Sequence, residues 1–366
     1  MPFGAGRPAG RGTSRLLRLA GRAALRLLRP AGRYALRLLR PAGRVALRLL
    51  RLAGLLLAVC VITFWLVELS PIDPVRAYIG ADVMRVGPEQ RAQIEAYWGL
   101  DRPPAERFLL WGRAALQGDL GTSMIYREPV ADVVRERFLR SFALMAAAWL
   151  LSGLFGFAAG VWAAMKRGTW IDRAVTTYCY TLAATPTFWV GLLMLTVFAV
   201  WLGWFPIGLG VPAGVVAEDV TLADRLRHLA LPALTLSLTG IAPIALHTRQ
   251  KLLEVLDSDY VLYARARGER GWELVRRHGL RNIALPAVTL QFASFGELFG
   301  GAVLAEQVFA YPGLGQAAVA AGVQGDVPLL LGIVLISTLF VFAGNSLADA
   351  AYRWVDPRMR TGGGGA

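Results

Sequence analysis

Four carboxylates interrupt otherwise apolar stretches of this sequence: Glu68, Glu297, Glu306 and Asp349. An ionised side chain at the centre of a bilayer costs about 2.5–3.5 kcal/mol, so each position is a candidate for function. Glu68 and Asp349 lie near the ends of their stretches, where a side chain reaches water, and Glu306 lies close to another end. Glu297 sits nearest the middle, in Phe295-Gly296-Glu297-Leu298-Phe299-Gly300-Gly301. A carboxylate among glycines can line a polar pathway and meet a substrate amine. An inward glutamate, paired with a neighbour or held protonated, gives the same pattern, and Gly300-Gly301 suits close helix packing. A second group runs from Asp257 to Pro286 and holds six arginines, four acids and the small-residue run Ala264-Arg265-Ala266-Arg267-Gly268. Small residues let another backbone approach and the charges supply directional pairs, so this stretch reads as a docking surface or a joint.

Other chemistry is missing. A phosphate-binding loop of the Walker type needs Gly-Lys, and the two lysines, Lys166 and Lys251, follow Met165 and Gln250. His228, His247 and His278 are far apart and make no metal-ligand spacing, and no GxSxG elbow is present. These absences disfavour an ATP-hydrolysing or membrane-embedded hydrolytic enzyme. Cys60 and Cys179 both fall in apolar stretches and imply no disulfide framework.

The elements that must position these residues are membrane spans. The 366-residue chain is 55% hydrophobic and 17% charged, against about a quarter charged in soluble domains. Six apolar segments, near 52–69, 141–165, 174–204, 229–246, 286–309 and 328–352, approach or exceed the ~18–20 residues needed to cross. The fourth is marginal and carries Pro232 and Pro243, which a membrane bundle tolerates. With the N-terminus inside, the inner pieces 1–51, 166–173, 247–285 and 353–366 carry +13, +2, +3 and +2. The outer pieces 70–140, 205–228 and 310–327 carry 0, −1 and −1. Positive loops stay inside, so both termini and the 247–285 loop are expected in the cytoplasm. The outer piece 70–140 is large enough for short helices, expected at 88–98 and 104–117.

Residues 1–51 contain thirteen arginines and no acid, so nearly all of the net +14 belongs to a tail and points to no nucleic-acid-binding body. Three eleven-residue repeats, GRAALRLLRPA, GRYALRLLRPA and GRVALRLLRLA, space arginine by 4, 3 and 4. On a helix that spacing gives one cationic stripe suited to anionic membrane lipid. Pro30, Pro41 and a glycine in each repeat work against a helix, and an expanded repeat without a role has the same pattern. No cleavage site follows the basic region, so 52–69 reads as a retained first span.

The charged stretch resembles the EAA loop of ABC importer permeases, in the form seen in the dipeptide/oligopeptide/nickel family. Asp259-Tyr260-Val261, Ala264-Arg265-Ala266-Arg267-Gly268, Arg277-His278-Gly279-Leu280-Arg281-Asn282 and Leu285-Pro286 carry the likeness. It continues through Glu306, Val308-Phe309 and Pro312-Gly313-Leu314-Gly315 to Asn345, Asp349, Tyr352 and Asp356-Pro357-Arg358. Upstream, Leu69 to Pro74, Gly99 to Pro103 and Gly118 to Ser123 also match, so the likeness covers Leu52 to Arg360 in order. Leu262 and Tyr263 depart from the family pattern, and the arginine tail has no counterpart in it.

The resemblance implies an all-α, polytopic inner-membrane protein of a bacterial or archaeal cell, with six transmembrane helices and the type I ABC importer permease fold. Residues 1–51 would be a cytoplasmic tail, 52–69 the first span, 70–140 external, 141–352 the permease domain and 353–366 a second tail. The family's partners are a second permease subunit, two ABC ATPase subunits that use ATP and magnesium, and an external substrate-binding protein. The chain itself would need no cofactor. Residues 271–278 would be the coupling helix, with Trp272 and Val275 on one face, Glu273, Arg276 and Arg277 around them, and Ala264, Ala266 and Gly268 packing beneath. Di- or oligopeptides are the expected cargo, and Glu297 is the pathway candidate. The alternative is a self-sufficient secondary transporter or channel, which requires coupling-ion residues at the midplane and commonly an inverted repeat.

Overall fold

A computed structural model describes residues 46–79 and 86–355. The arginine repeats before residue 46 and the glycine-rich end after residue 355 lie outside the described residues. The chain divides into two units, Met1–Ala58 and Val59–Ala366. The described part of the first is the start of helix α1 (Ala46–Glu68), where Leu47, Leu49, Leu50, Leu55 and Leu57 are exposed. All that follows concerns the second unit.

Among the described residues the secondary structure is helical, apart from one isolated bridge between Thr122 and Pro129. Four helices are long and apolar enough to cross a membrane: α1, α5 (Val130–Met165), α8 (Leu222–Leu256) and the final helix α14 (Val327–Val355). Two bent pairs bring the number to six. The first pair is α6 (Trp170–Ala183) with α7 (Thr187–Met194) and its π-helical extension Leu195–Trp201, bent by 110°. The sequence reads 174–204 as one straight span. It breaks because Thr185 precedes Pro186, whose ring pushes the preceding residue out of the helical region, and Pro186 then caps α7 with ψ 136°. The second pair, Gly271–Ala293 with Phe295–Val308, bends by 52° at Ser294.

Three short helices, α2 (Pro74–Ile79), α3 (Pro88–Tyr97) and α4 (Pro104–Leu116), follow α1. Arg107 pairs with Glu68 at 3.2 Å, which uses the carboxylate at the end of α1. Helix α5 starts eleven residues before the apolar stretch at Ser141, because Val130, Val133 and Val134 pack against Leu314 and Leu329. Helix α8 begins at Leu222 rather than Leu229. A capping box starts it: Thr221 Oγ accepts from the Asp224 N–H at 3.1 Å, and the Asp224 carboxylate accepts from the Thr221 N–H at 3.1 Å. It then runs through Pro232 and Pro243 to Leu256.

Helices α5 and α8 run side by side in the same direction with backbones nearly touching. A Cβ on Gly160 would lie 2.5 Å from Ala245 O, and one on Gly240 would lie 2.9 Å from Ser152 Cβ. Small residues permit this approach where no hydrophobic effect drives helices together.

The corner between α12 (Phe295–Val308) and α13 (Leu314–Gln324) is held by a buried acid. Glu306, 1% exposed, accepts from the Ser141 hydroxyl and from the N–H groups of Gly315 at 2.7 Å and Gln316 at 3.1 Å. Ser141 Oγ accepts from the Leu314 N–H at 2.7 Å. The orphan donors of the α13 N-terminus are thereby satisfied. This explains the glycines of the Pro-Gly-Leu-Gly motif. A Cβ on Gly313 would stand 2.2 Å from the Glu306 carboxyl, and one on Gly315 2.7 Å from Val303 Cα. The next corner repeats the device: buried Asp326 accepts from Ser123 Oγ at 2.7 Å, Ile125 N–H at 3.0 Å and Leu329 N–H at 3.2 Å.

Candidate functional site

The charged stretch folds into α9 (Asp259–Ala266), a turn, and α10 (Gly271–Leu274), which passes through a π-helical turn, Val275–Gly279, into α11 (Leu280–Ala293). The coupling helix expected over about 271–278 forms the first part of a longer helix that reaches Ala293. The helix continues through Gly279 and past Pro286, and Gly279 is needed for packing: a Cβ there would stand 2.8 Å from Leu252 Cδ1.

Helix α9 ends in a Schellman turn. The Gly268 N–H donates to Arg265 O at 2.9 Å and the Glu269 N–H to Ala264 O at 3.2 Å, with Gly268 at φ +95°. A Cβ on Gly268 would meet nothing, so backbone conformation, not crowding, favours glycine here. The turn is tied to α10 by charge. Glu269 lies 2.9 Å from His278 Nε2 and 3.6 Å from Arg277, and Arg277 reaches Glu273 at 2.9 Å. Asn282 donates to Tyr260 OH at 3.0 Å and to His278 O at 2.8 Å.

The expected site residues separate into two sets. Ala264 and Val275 are buried, in a cluster with Leu252, Val261, Leu274 and Ile283. Trp272 is 53% exposed, and Ala266, Gly268, Glu273, Arg276 and Arg277 are exposed too. Trp272 and Val275 therefore do not share a face: Val275 turns inward with Leu274 because the cluster with α8 and α9 takes the apolar side of the helix. Of the small-residue run, Ala264 packs in that cluster while Ala266 and Gly268 do not. Sequence reasoning left out Tyr260 and the two departures Leu262 and Tyr263, all of which are exposed. Alternation of buried Val261 and Ala264 with these residues was the available signal. Exposed aromatic and aliphatic side chains rimmed by arginine and glutamate are the composition of a protein-docking surface.

Glu297 lies in the first turn after the bend at Ser294 and is exposed. Gly300, Leu304 and Gln307 share its face at helical spacing and are exposed as well, whereas Ala302, Ala305 and Glu306 face inward. Among the described residues no hydrogen bond or ion pair reaches Glu297. A carboxylate on an outward face of a span needs a polar cavity or a partner there, since lipid solvates it poorly. The structure does not bring Glu297 together with the α9–α10 residues. A further part-buried ion pair, Arg249 to Asp172 at 2.6 and 2.9 Å, joins α8 to the start of α6. Among the described residues no cluster of three or more His, Cys, Asp or Glu could hold a metal ion.

Residues 156–361 match the family described as binding-protein-dependent transport system inner membrane component. The oligopeptide transport system permease protein of Bacillus subtilis is 34% identical over 306 residues, covering 83% of this chain and 95% of that one. The di/tripeptide transport system permease protein of Pseudomonas aeruginosa is 36% identical, covering 82% and 94%. The glutathione transport system permease protein of Salmonella choleraesuis is 36% identical, covering 83% and 94%.

Proposed function

The chain belongs to the family of binding-protein-dependent transport inner-membrane components, and from that premise we propose that it imports short peptides as one of two permeases in an ATP-driven transporter. It is a multi-pass inner-membrane permease subunit. Two ATPase subunits would hydrolyse ATP with magnesium, and an external binding protein would deliver cargo. The relatives are named for oligopeptides, di- and tripeptides and glutathione, which are all short peptides.

One observation carries the mechanism: exposed Trp272 stands near the start of a helix that continues from Gly271, through a π-helical turn and past Pro286, to Ala293. A partner that grips Trp272, with Tyr263 and Ala266 beside the turn, moves a rigid lever whose far end meets the bend before Glu297. Closure of the ATPases would swing that lever and rock the span, which is rigid-body gating. Buried Ala264 and Val275 keep α9 and α10 moving together, and the Glu269–His278–Arg277–Glu273 cluster reinforces the joint. Glu297 and its face would line the path. The net charge of +3 over 247–285 and +2 over 166–173 supports a cytoplasmic position for this end and for both termini.

The test is purification from native membranes in mild detergent, followed by reconstitution. We expect a second permease, ATPases with Walker motifs, and peptide uptake that needs ATP on the ATPase side of the membrane and the binding protein on the other. Uptake by this chain alone, without ATP, would instead establish a secondary transporter.

A further inference from the structure

Residues 202–217, which join the bent span ending at Trp201 to α8, contain no charged, hydroxyl or amide side chain. Their backbone is irregular up to a short 3-10 turn at Ala217–Asp219. Trp201, Trp204, Ile207, Val215 and Val216 are exposed, as are Leu222 and Leu226 on the first turns of α8. The stretch folds back as a flap. The Leu209 N–H donates to Phe309 O at 3.0 Å. His228 Nδ1 lies 2.9 Å from Gly208 O and 3.2 Å from Leu209 O, and two acceptors there require a proton on that nitrogen. A cleft of about 620 Å3 opens between the flap and α8. Phe205, Ile207 and Leu209 wall one side, and Asp224 and Arg227, one helical turn apart, stand on the other. Both bonds from Thr221 to Asp224 use Oδ2, and Oδ1 accepts none among the described residues. Arg227 reaches Trp204 O only at 3.5 Å and makes no ion pair among the described residues. Three non-glycine residues there have left-handed φ, and two of them, Leu209 at +68° and Ala310 at +46°, line this cleft. Such backbone is unfavourable for leucine, persists only where contacts fix it, and concentrates at ligand sites.

Because both flanking helices are candidate spans, the flap lies near one face of the membrane. Irregular backbone does not lie in hydrocarbon, where its N–H and C=O groups find no partners. Apolar side chains in this number are unfavourable in bulk water. The headgroup layer satisfies both conditions, and Trp concentrates there. A soluble partner's interface keeps a polar rim, and residues 202–217 supply none. A helix of another membrane subunit packs along small residues on a helical face, and the flap is not helical. The cleft itself pairs one free cation and one free carboxylate oxygen with an apolar wall. A guanidinium binds phosphate, a carboxylate binds ammonium, and the wall takes the first acyl carbons. We propose that the flap lies in the headgroup layer and that the cleft beneath it holds a zwitterionic phospholipid, with Arg227 on its phosphate and Asp224 on its ammonium. The assignment needs the membrane spans and no partner subunit, so it stands or falls apart from the peptide-import reading.

The test uses the complete transporter in its native membrane, with photoreactive benzoylphenylalanine at exposed Ile207 or Val216 and at exposed Tyr263 for comparison. Phospholipid adducts from positions 207 and 216, and none from 263, are expected. Adducts from the flap to protein alone overturn its placement, as does equal lipid labelling from all three positions. The headgroup is read by native mass spectrometry of the purified transporter after exposure to mixed micelles of phosphatidylethanolamine and phosphatidylglycerol. Phosphatidylethanolamine should be retained about two- to fivefold over phosphatidylglycerol, which has no ammonium. Arg227→Gln should lower retention of both about tenfold or more. Arg225→Gln, an exposed neighbour outside the cleft, should change it less than about twofold. Asp224→Asn keeps an acceptor for the Thr221 N–H and should remove only the preference between the two lipids. Equal retention in Arg227→Gln and the unaltered chain, or an equal loss in Arg225→Gln, overturns the site. A preference that survives Asp224→Asn overturns the ammonium assignment.

Discussion

The corner that joins α12 to α13 and the turn that joins α9 to α10 hold comparable numbers of polar groups and use them in opposite ways. At the first, a buried carboxylate answers a hydroxyl and two backbone donors, and two glycines clear its space. At the second, the ion pairs are part-exposed, while Tyr260, Leu262, Tyr263 and Trp272 are about half exposed or more. The first region is complete by itself. The second is finished on its inner side, where Ala264 and Val275 pack against α8, and its outer side is exposed. Burial and hydrogen bonding thus separate what holds this fold together from what the fold presents.

Substitutions should separate the two regions in the same way. The largest loss is expected for Glu306→Ala, which leaves the Ser141 hydroxyl and two α13 N–H groups buried without an acceptor. About 3 kcal/mol or more of stability should go, read as thermal unfolding of the detergent-solubilised protein. Gly313→Ala should approach that loss, because its Cβ would overlap the same carboxyl. If either variant melts with the unaltered protein, the corner is not held as described.

Next is Gly279→Ala, where the new methyl meets Leu252 Cδ1. A flexible leucine end can yield, so about 1–2 kcal/mol is expected. Because Gly279 joins the lever to α8, transport should fall further than stability does. A proportional fall in both would make Gly279 a packing residue only.

Arg277→Ala should cost least, about 0.5 kcal/mol, because its pairs with Glu273 and Glu269 are half exposed. Raising salt should shrink even that difference. A loss above about 2 kcal/mol that persists in high salt would mean that the turn is a buried network and the contrast with the corner is false.

Much of this was legible in the sequence, because a bilayer imposes length and apolarity on every span. The six segments were countable, and the helices at 88–97 and 104–116 followed from their prolines and periodicity. Hydropathy records how apolar a stretch is and not where it turns, so the 110° break at Pro186 and the 52° bend at Ser294 were not read. The early start of α8 had a local signal in Thr221 and Asp224. The role of Glu306 had only a distant one. Ser141 lies 165 residues away, and no local pattern announces that pairing. In the candidate site, residue types marked the loop as a candidate docking surface, but which side each residue faced depended on α8. Trp272 and Val275, three positions apart, went to different sides for that reason.

The central claim is that Trp272 belongs to the gripped end of a lever and not to the core. The most direct measurement pairs unfolding with ATP-driven peptide uptake in reconstituted transporter carrying Trp272→Ala. Stability should change by less than about 0.5 kcal/mol, since the side chain is half exposed, while uptake collapses and the ATPases still hydrolyse ATP. Uptake at the unaltered rate with normal ATPase binding would contradict the account and move the point of grip away from α10.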